Sequence, residues 1–148
     1  MAIPDFELST EEARSVLPVE IGRDDTIFNI ARMGLLLRGL ESNGGDWLRV
    51  AMEDKLHQPY RQSLIRGYQA VKEAALAAGA YGMVISGAGP TLLALVNDTR
   101  ADAVTSAMKE AWTKEGVTAE VRSLSLDTQG AKIINSDQRS RTSTVENN

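Results

Sequence analysis

One segment limits the possible folds more than any other: Tyr81–Val96, YGMVISGAGPTLLALV. Met83, Val84 and Ile85 form a short β-type apolar run, Ser86-Gly87-Ala88-Gly89-Pro90 a small-residue turn, and Leu92 to Val96 a second apolar run. Two such runs joined by glycines read as a β-hairpin. The fold must therefore contain sheet, and at this point the sheet must be antiparallel. The glycines flanking Ala88 allow positive φ and the close approach of another group, and Pro90 stiffens the exit. A second reading makes the turn part of a ligand site, because successive N–H groups in such a loop can face an anion. It leads into a strand, so no helix N-terminus is there to hold a phosphate.

The rest of the chain supplies what would pack on that sheet. Ile3 and Phe6 flank Pro4-Asp5, and Ser9-Thr10-Glu11-Glu12 reads as a capping box opening a short helix that Pro18 stops. Asp24 or Asp25 is expected to cap the next helix, which runs to about Leu40. That helix is so rich in Ile, Leu, Met and Phe that burial nearly all round is expected. After the Asn43-Gly44-Gly45-Asp46 turn, with Asp46 as a cap, a third helix carries Trp47, Val50, Ala51 and Met52 and ends near His57-Gln58-Pro59. Leu64, Tyr68, Val71, Ala75 and Ala78 mark a fourth helix over about 64–78, closed by Gly79. Beyond the hairpin, Asp98 or Thr99 opens a helix to about Glu115, which Gly116 ends. Val117, Ala119 and Val121 then alternate as a half-exposed strand. The order predicts an α+β domain with helices packed on an antiparallel sheet. It occupies residues 1–135, and the polar, aperiodic 136–148 forms a disordered tail.

Composition narrows the function classes. The net charge is −4, and a nucleic-acid binder would show a basic face. The apolar runs are too short for a membrane span, and MAIPDFELST has no basic or hydrophobic leader region. With no cysteine, disulfide and thiolate chemistry are absent and a reducing compartment fits. One histidine and no cysteine argue against a transition-metal site.

Chemistry-bearing side chains are few. Arg14 lies four residues after Thr10 on one helix face, and Arg61 follows His57-Gln58-Pro59-Tyr60. An arginine fork is the natural bidentate partner of a carboxylate, and two converging near a glycine turn would make a carboxylate pocket. Each also reads as a solvated surface arginine, and Thr10 as a helix-start residue. His57 reads either as a general base or as a helix-end histidine bonded to backbone or water. Trp47, Trp112, Tyr68 and Met108 fall at helical spacing and read as core. Neither GxxxxGK[ST] nor a helix-opening GxGxxG occurs, so the chain holds no complete nucleotide site.

The pattern Gly82-x-x-(apolar)-Ser86-Gly87-Ala88-Gly89-Pro90-Thr91 resembles the third signature of the GHMP small-molecule kinases. Two further blocks, Pro4–Arg14 with Leu17-Pro18 and Leu56–Arg61 with Leu64-Ile65, narrow the resemblance to the C-terminal half of the homoserine kinases, over about residues 1–135. The resemblance implies a ferredoxin-like C-terminal domain and a cytoplasmic enzyme of threonine biosynthesis. That enzyme phosphorylates the L-homoserine hydroxyl with ATP and Mg²⁺. It places Thr10, Arg14 and Arg61 in the homoserine pocket and makes Ser86, Gly87, Ala88 and Gly89 an active-site turn. It assigns no catalytic residue and no metal ligand here, because the P-x-x-x-G-L-G-S-S-A phosphate loop, the ammonium-binding acid and the Mg²⁺ ligand belong to an N-terminal half. The chain is accordingly expected to be a truncated gene or a separate half. On its own it would be inactive and prone to self-association, with the N-terminal half as partner and a homodimer as a further expectation. The alternatives are a non-catalytic α+β module that binds a ligand or a protein, and half of another GHMP kinase.

Overall fold

The structure, a computed structural model, describes residues 1–127, 129–130 and 133. The expected tail at 136–148 lies outside the described residues. Twelve elements order as β1 (Ala2–Pro4), α1 (Thr10–Ser15), α2 (Arg23–Ser42), α3 (Gly45–Ala51), α4 (Gln58–Arg61), a 3-10 turn (Gln62–Leu64), α5 (Tyr68–Ala77), β2 (Gly82–Ile85), β3 (Leu92–Leu95), a second 3-10 turn (Asp98–Arg100), α6 (Ala101–Lys114) and β4 (Ala119–Val121). The four strands form one sheet in the order β2-β3-β1-β4, with every pair antiparallel. Strands 4-1-3-2 with α5 and α6 give the ferredoxin-like βαββαβ arrangement, into which α1–α4 are inserted between β1 and α5. The α+β expectation holds.

Strand alternation divides the sheet into two faces. Met83, Ile85, Leu92 and Ala94 face α5 and α6, where Val71, Val104, Met108 and Trp112 complete the core. Trp112 is fully buried and its indole Nε1–H donates to Arg66 O at 2.8 Å, so the largest core side chain also has its polar atom satisfied. On the opposite face, Val84, Leu93 and Leu95 line an open cleft beside α2 and α3. Gly82 sits where the chain after α3 presses on the sheet: a Cβ there would stand 2.7 Å from Met52 Sδ and 3.0 Å from Met52 Cβ.

Local signals correctly placed some helix ends and missed others. Ser9 caps α1, its Oγ accepting from Glu12 N at 3.0 Å, and Gly116 ends α6 with φ 71. Asp24 and Asp25 lie inside the first turn of α2, and Gly22 is its N-cap, with Thr26 Oγ1 donating to Gly22 O. Gly44, not Asp46, precedes α3. The helix expected from Leu64 begins at Tyr68, because Gly67 takes φ 73 and breaks the periodic stripe. Asn97, not Asp98, caps the last helical stretch, accepting from Thr99 N.

The largest correction concerns α2. Of its residues only Gly39 is buried, while Ile27, Ile30 and Leu37 are 52%, 69% and 58% exposed. Apolar composition shows only that a face can be covered, not that it is. Trp47, expected in the core, is exposed for the same reason.

Candidate active-site corner

The segments Ala13, Arg61 and Gly87 are far apart in sequence, and one side chain joins them. Arg61 ends α4, and its guanidinium donates from Nε to Ala13 O at 2.9 Å and from Nη1 to Gly87 O at 3.2 Å. The Arg61 fork thus ties α1 to the glycine turn. Two of its donors are committed to backbone carbonyls, while the five-donor guanidinium keeps others, including both on Nη2, for a ligand. Arg61, His57 and Gly87 line one end of the cleft, a space of about 660 Å³ that continues between α2 and the open sheet face.

The glycine turn is held partly by its own backbone. Ser86 N donates to Thr91 O at 2.8 Å and Gly89 N to Ser86 O at 3.1 Å, so two of its amides close the turn itself. Gly87 and Gly89 take φ 62 and 95, values that favour glycine. A Cβ on Gly89 would press at 3.3 Å on Leu8, Ile65 and Ile85 together.

Thr10 and Arg14 lie at the two ends of α1, both exposed. Neither lines the cleft; α1 reaches the corner through the Ala13 carbonyl. His57 is exposed, directly ahead of α4, with Nδ1 3.9 Å from Asp54 Oδ1.

Asp54 organises this end of the site, and the sequence reading overlooked it. Its Oδ2 accepts from His57 N at 2.8 Å and Gln58 N at 2.6 Å. Its Oδ1 accepts from Leu56 N at 3.1 Å and Asn29 Nδ2 at 2.5 Å. Burial pushes the carboxyl up, but the hydrogen bonds, led by Gln58 N, outweigh it and hold Asp54 below the usual aspartate range. Burial, followed by the Asp54 charge, raises the Tyr68 phenol. Gln58 extends the network: its Oε1 accepts from Tyr68 Oη at 3.3 Å and Ile85 N at 3.2 Å, which joins α4 to α5 and β2. A carboxylate four residues before Gln58-Pro59 was the available signal for a new helix start. Running the third helix through to Pro59 concealed it.

Across the cleft, the Arg32 guanidinium lies 3.1 Å over the Phe28 ring and pairs with Glu53. Among the described residues no group of three or more His, Asp or Glu side chains is arranged to hold a metal ion, and no helix is long and apolar enough to cross a membrane.

The chain is similar to known proteins in both sequence and fold. A sequence profile described as the GHMP kinases C-terminal domain matches residues 33–114, more than half of the chain. The chain belongs to the GHMP kinases, as a C-terminal domain. Relatives that it matches within that family include homoserine kinases. It is 67% identical over 132 residues to that of Nostoc punctiforme, covering 89% of the chain and 43% of the relative. To that of a second Nostoc strain it is 69% identical over 131 residues, covering 88% and 44%. The crystal structure of homoserine kinase from Cytophaga hutchinsonii superposes with a TM-score of 0.77 at 33% identity, over 82% of this chain and 39% of that one. The chain thus spans less than half the length of these relatives.

Proposed function

We propose that this chain is the substrate-side part of a homoserine kinase, an enzyme that transfers the ATP γ-phosphoryl group to the side-chain hydroxyl of L-homoserine in threonine biosynthesis. The observation that carries the reading is Arg61, whose fork joins α1, α4 and the Ser86–Gly89 turn at the mouth of the cleft. Its remaining donors suit the α-carboxylate of an amino acid. Thr10 and Arg14 lie outside the cleft lining, and in this reading they face the substrate only from the exposed side of α1, beside the Ala13 carbonyl that Arg61 holds. The turn forms the floor against which a phosphate-binding partner half packs.

In such a reaction most of the acceleration comes from holding the acceptor hydroxyl in line and neutralising charge. This chain's share is the first part, orientation of the amino-acid end of the substrate. The sequence contains no P-x-x-x-G-L-G-S-S-A phosphate loop, which in the resembled family lies in the N-terminal half together with the Mg²⁺ ligand. ATP and Mg²⁺ therefore belong mainly to a complementary N-terminal part, which is this chain's partner in catalysis.

The test uses the enzyme completed with that part. Arg61→Ala is expected to raise the homoserine KM by about ten- to a hundredfold, from a lost charge-assisted contact of about 1.5–3 kcal/mol, with the ATP KM little changed. Arg61→Lys is expected to recover only part of the loss, since a point ammonium cannot hold two backbone carbonyls and a carboxylate together. An unchanged homoserine KM would remove Arg61 from the pocket. The chain alone is expected to show no homoserine phosphorylation, and turnover above background would overturn that expectation.

A further inference from the structure

β2 is an edge strand of the sheet, and a side chain fills one of its outward N–H groups. Hydrogen-bonded and non-hydrogen-bonded pairs alternate along an antiparallel ladder. Ser86 N donates to Thr91 O at the head of the β2–β3 hairpin, so the next pair, Ile85 and Leu92, is non-hydrogen-bonded. Ile85 therefore turns its N–H away from β3. Gln58 meets it there: Oε1 accepts from Ile85 N at 3.2 Å and from Tyr68 Oη at 3.3 Å, while Nε2 donates to Met52 O at 3.4 Å. Both lone pairs of the amide oxygen are thus committed, and the side chain takes the place that a neighbouring strand would hold.

Gln58 opens α4 and Arg61 ends it. A helix of one turn is too short to be stable by itself, so α4 takes its direction from what its two ends bind. At the first end Asp54 holds Gln58 N, and the Gln58 side chain holds Ile85 N. At the last end Arg61 holds Gly87 O. These two holds on the hairpin lie on either side of Ser86, one just before the glycine turn and one within it. Residues three apart share one side of a helix, so a shift at Gln58 carries Arg61 with it. Without the Gln58 hold, the Arg61 guanidinium would have to act as the strut between α4 and the turn and as the ligand donor at once.

We propose that Gln58 is a positioning residue for Arg61, an inference that rests on the reading of Arg61 as the residue that holds the substrate carboxylate. Gln58 lines the cleft, but its accepting oxygen is filled from within the chain, and it acts by fixing α4 against β2. The Nη2 donors left on Arg61 then stand at a set distance from the Ser86–Gly89 turn.

Steady-state kinetics of the enzyme completed with its N-terminal part provide the test. Gln58→Met keeps the side-chain length and removes the acceptor. It is expected to raise the homoserine KM about tenfold, with kcat and the ATP KM within about twofold of wild type. In an Arg61→Ala background the same change is expected to raise the homoserine KM by less than about twofold, because no carboxylate contact is left to misplace. Gln58→Glu keeps an accepting oxygen and is expected to stay within about threefold of wild type. Tyr68→Phe removes only the phenol that holds the Gln58 amide and is expected to raise the homoserine KM about threefold, which keeps the proposal testable should Gln58→Met fail to fold. An unchanged homoserine KM in Gln58→Met, or in Tyr68→Phe where Gln58→Met does not fold, would overturn the proposal. So would an equal rise in both backgrounds, or an ATP KM that rises in step, since either marks a merely structural role. Arg61→Ala tells the two readings apart: a raised homoserine KM there with Gln58→Met silent removes only the role of Gln58, whereas an unchanged one removes Arg61 from the pocket and this inference with it.

Discussion

Replacing Asp54 by alanine removes the acceptor on which the start of α4 depends. Four donors lose a charged partner: the backbone N–H groups of Leu56, His57 and Gln58, and the Asn29 amide. Bonds to a charged acceptor are worth about 1.5–3 kcal/mol each, but their sum overstates the loss, because the exposed His57 amide can turn to water. Loss of a helix-start cap, about 0.5–2 kcal/mol, and of the tie to α2, about 1 kcal/mol, together with the half-buried Gln58 amide, give about 2–4 kcal/mol for Asp54→Ala. Asp54→Asn keeps an acceptor on one side and should cost about half as much. The carboxyl is depressed in the folded state. Its stabilisation is therefore complete above the unfolded aspartate pKa of about 3.9, and is lost as pH falls through the lower folded value. Urea unfolding followed by circular dichroism at pH 7 and pH 3 reads both effects: the gap between wild type and Asp54→Asn should narrow at pH 3. A loss below about 0.5 kcal/mol for Asp54→Ala, well under a typical cap, would refute the reasoning. So would an equal gap at the two pH values.

Further outcomes follow from packing. Gly82→Ala forces a Cβ onto Met52 and should destabilise by about 1–3 kcal/mol as an overpacking change, read as a lower urea midpoint at unchanged slope. Trp112→Phe empties space in a fully buried site and orphans the Arg66 carbonyl, an expected loss of about 2–4 kcal/mol in the same assay. Arg61→Ala, beyond its expected effect on the homoserine KM, cuts the tie between α1 and the turn; limited proteolysis should show faster cleavage near α1.

Residues close in sequence made much of the fold legible. The hairpin follows from apolar runs on either side of Ser86–Pro90, the α1 cap from Ser9 and Glu12, and the α6 core face from Val104, Met108, Ala111 and Trp112 at helical spacing. These signals are short-range, set by φ preference and by side-chain period. The turn also pointed to the family, which the match over residues 33–114 bears out.

The third dimension decided which apolar side chains are covered and which polar ones meet. Composition could not distinguish the exposed Ile30 and Trp47 from the buried Tyr68 and Met108, because burial depends on what an element packs against and not on its own hydropathy. The sequence shows the donor fork of Arg61 but not what it holds, because its bonds to Ala13 and Gly87 cross 48 and 26 residues. The role of Asp54 likewise needs Asn29 brought from α2. Local order along the chain is enough to specify the elements, the antiparallel hairpin and the kind of group an arginine fork can hold. That Arg61 locks the corner of the cleft and that one face of α2 is exposed emerge only in three dimensions, because both depend on contacts between segments whose separation along the chain carries no local signal.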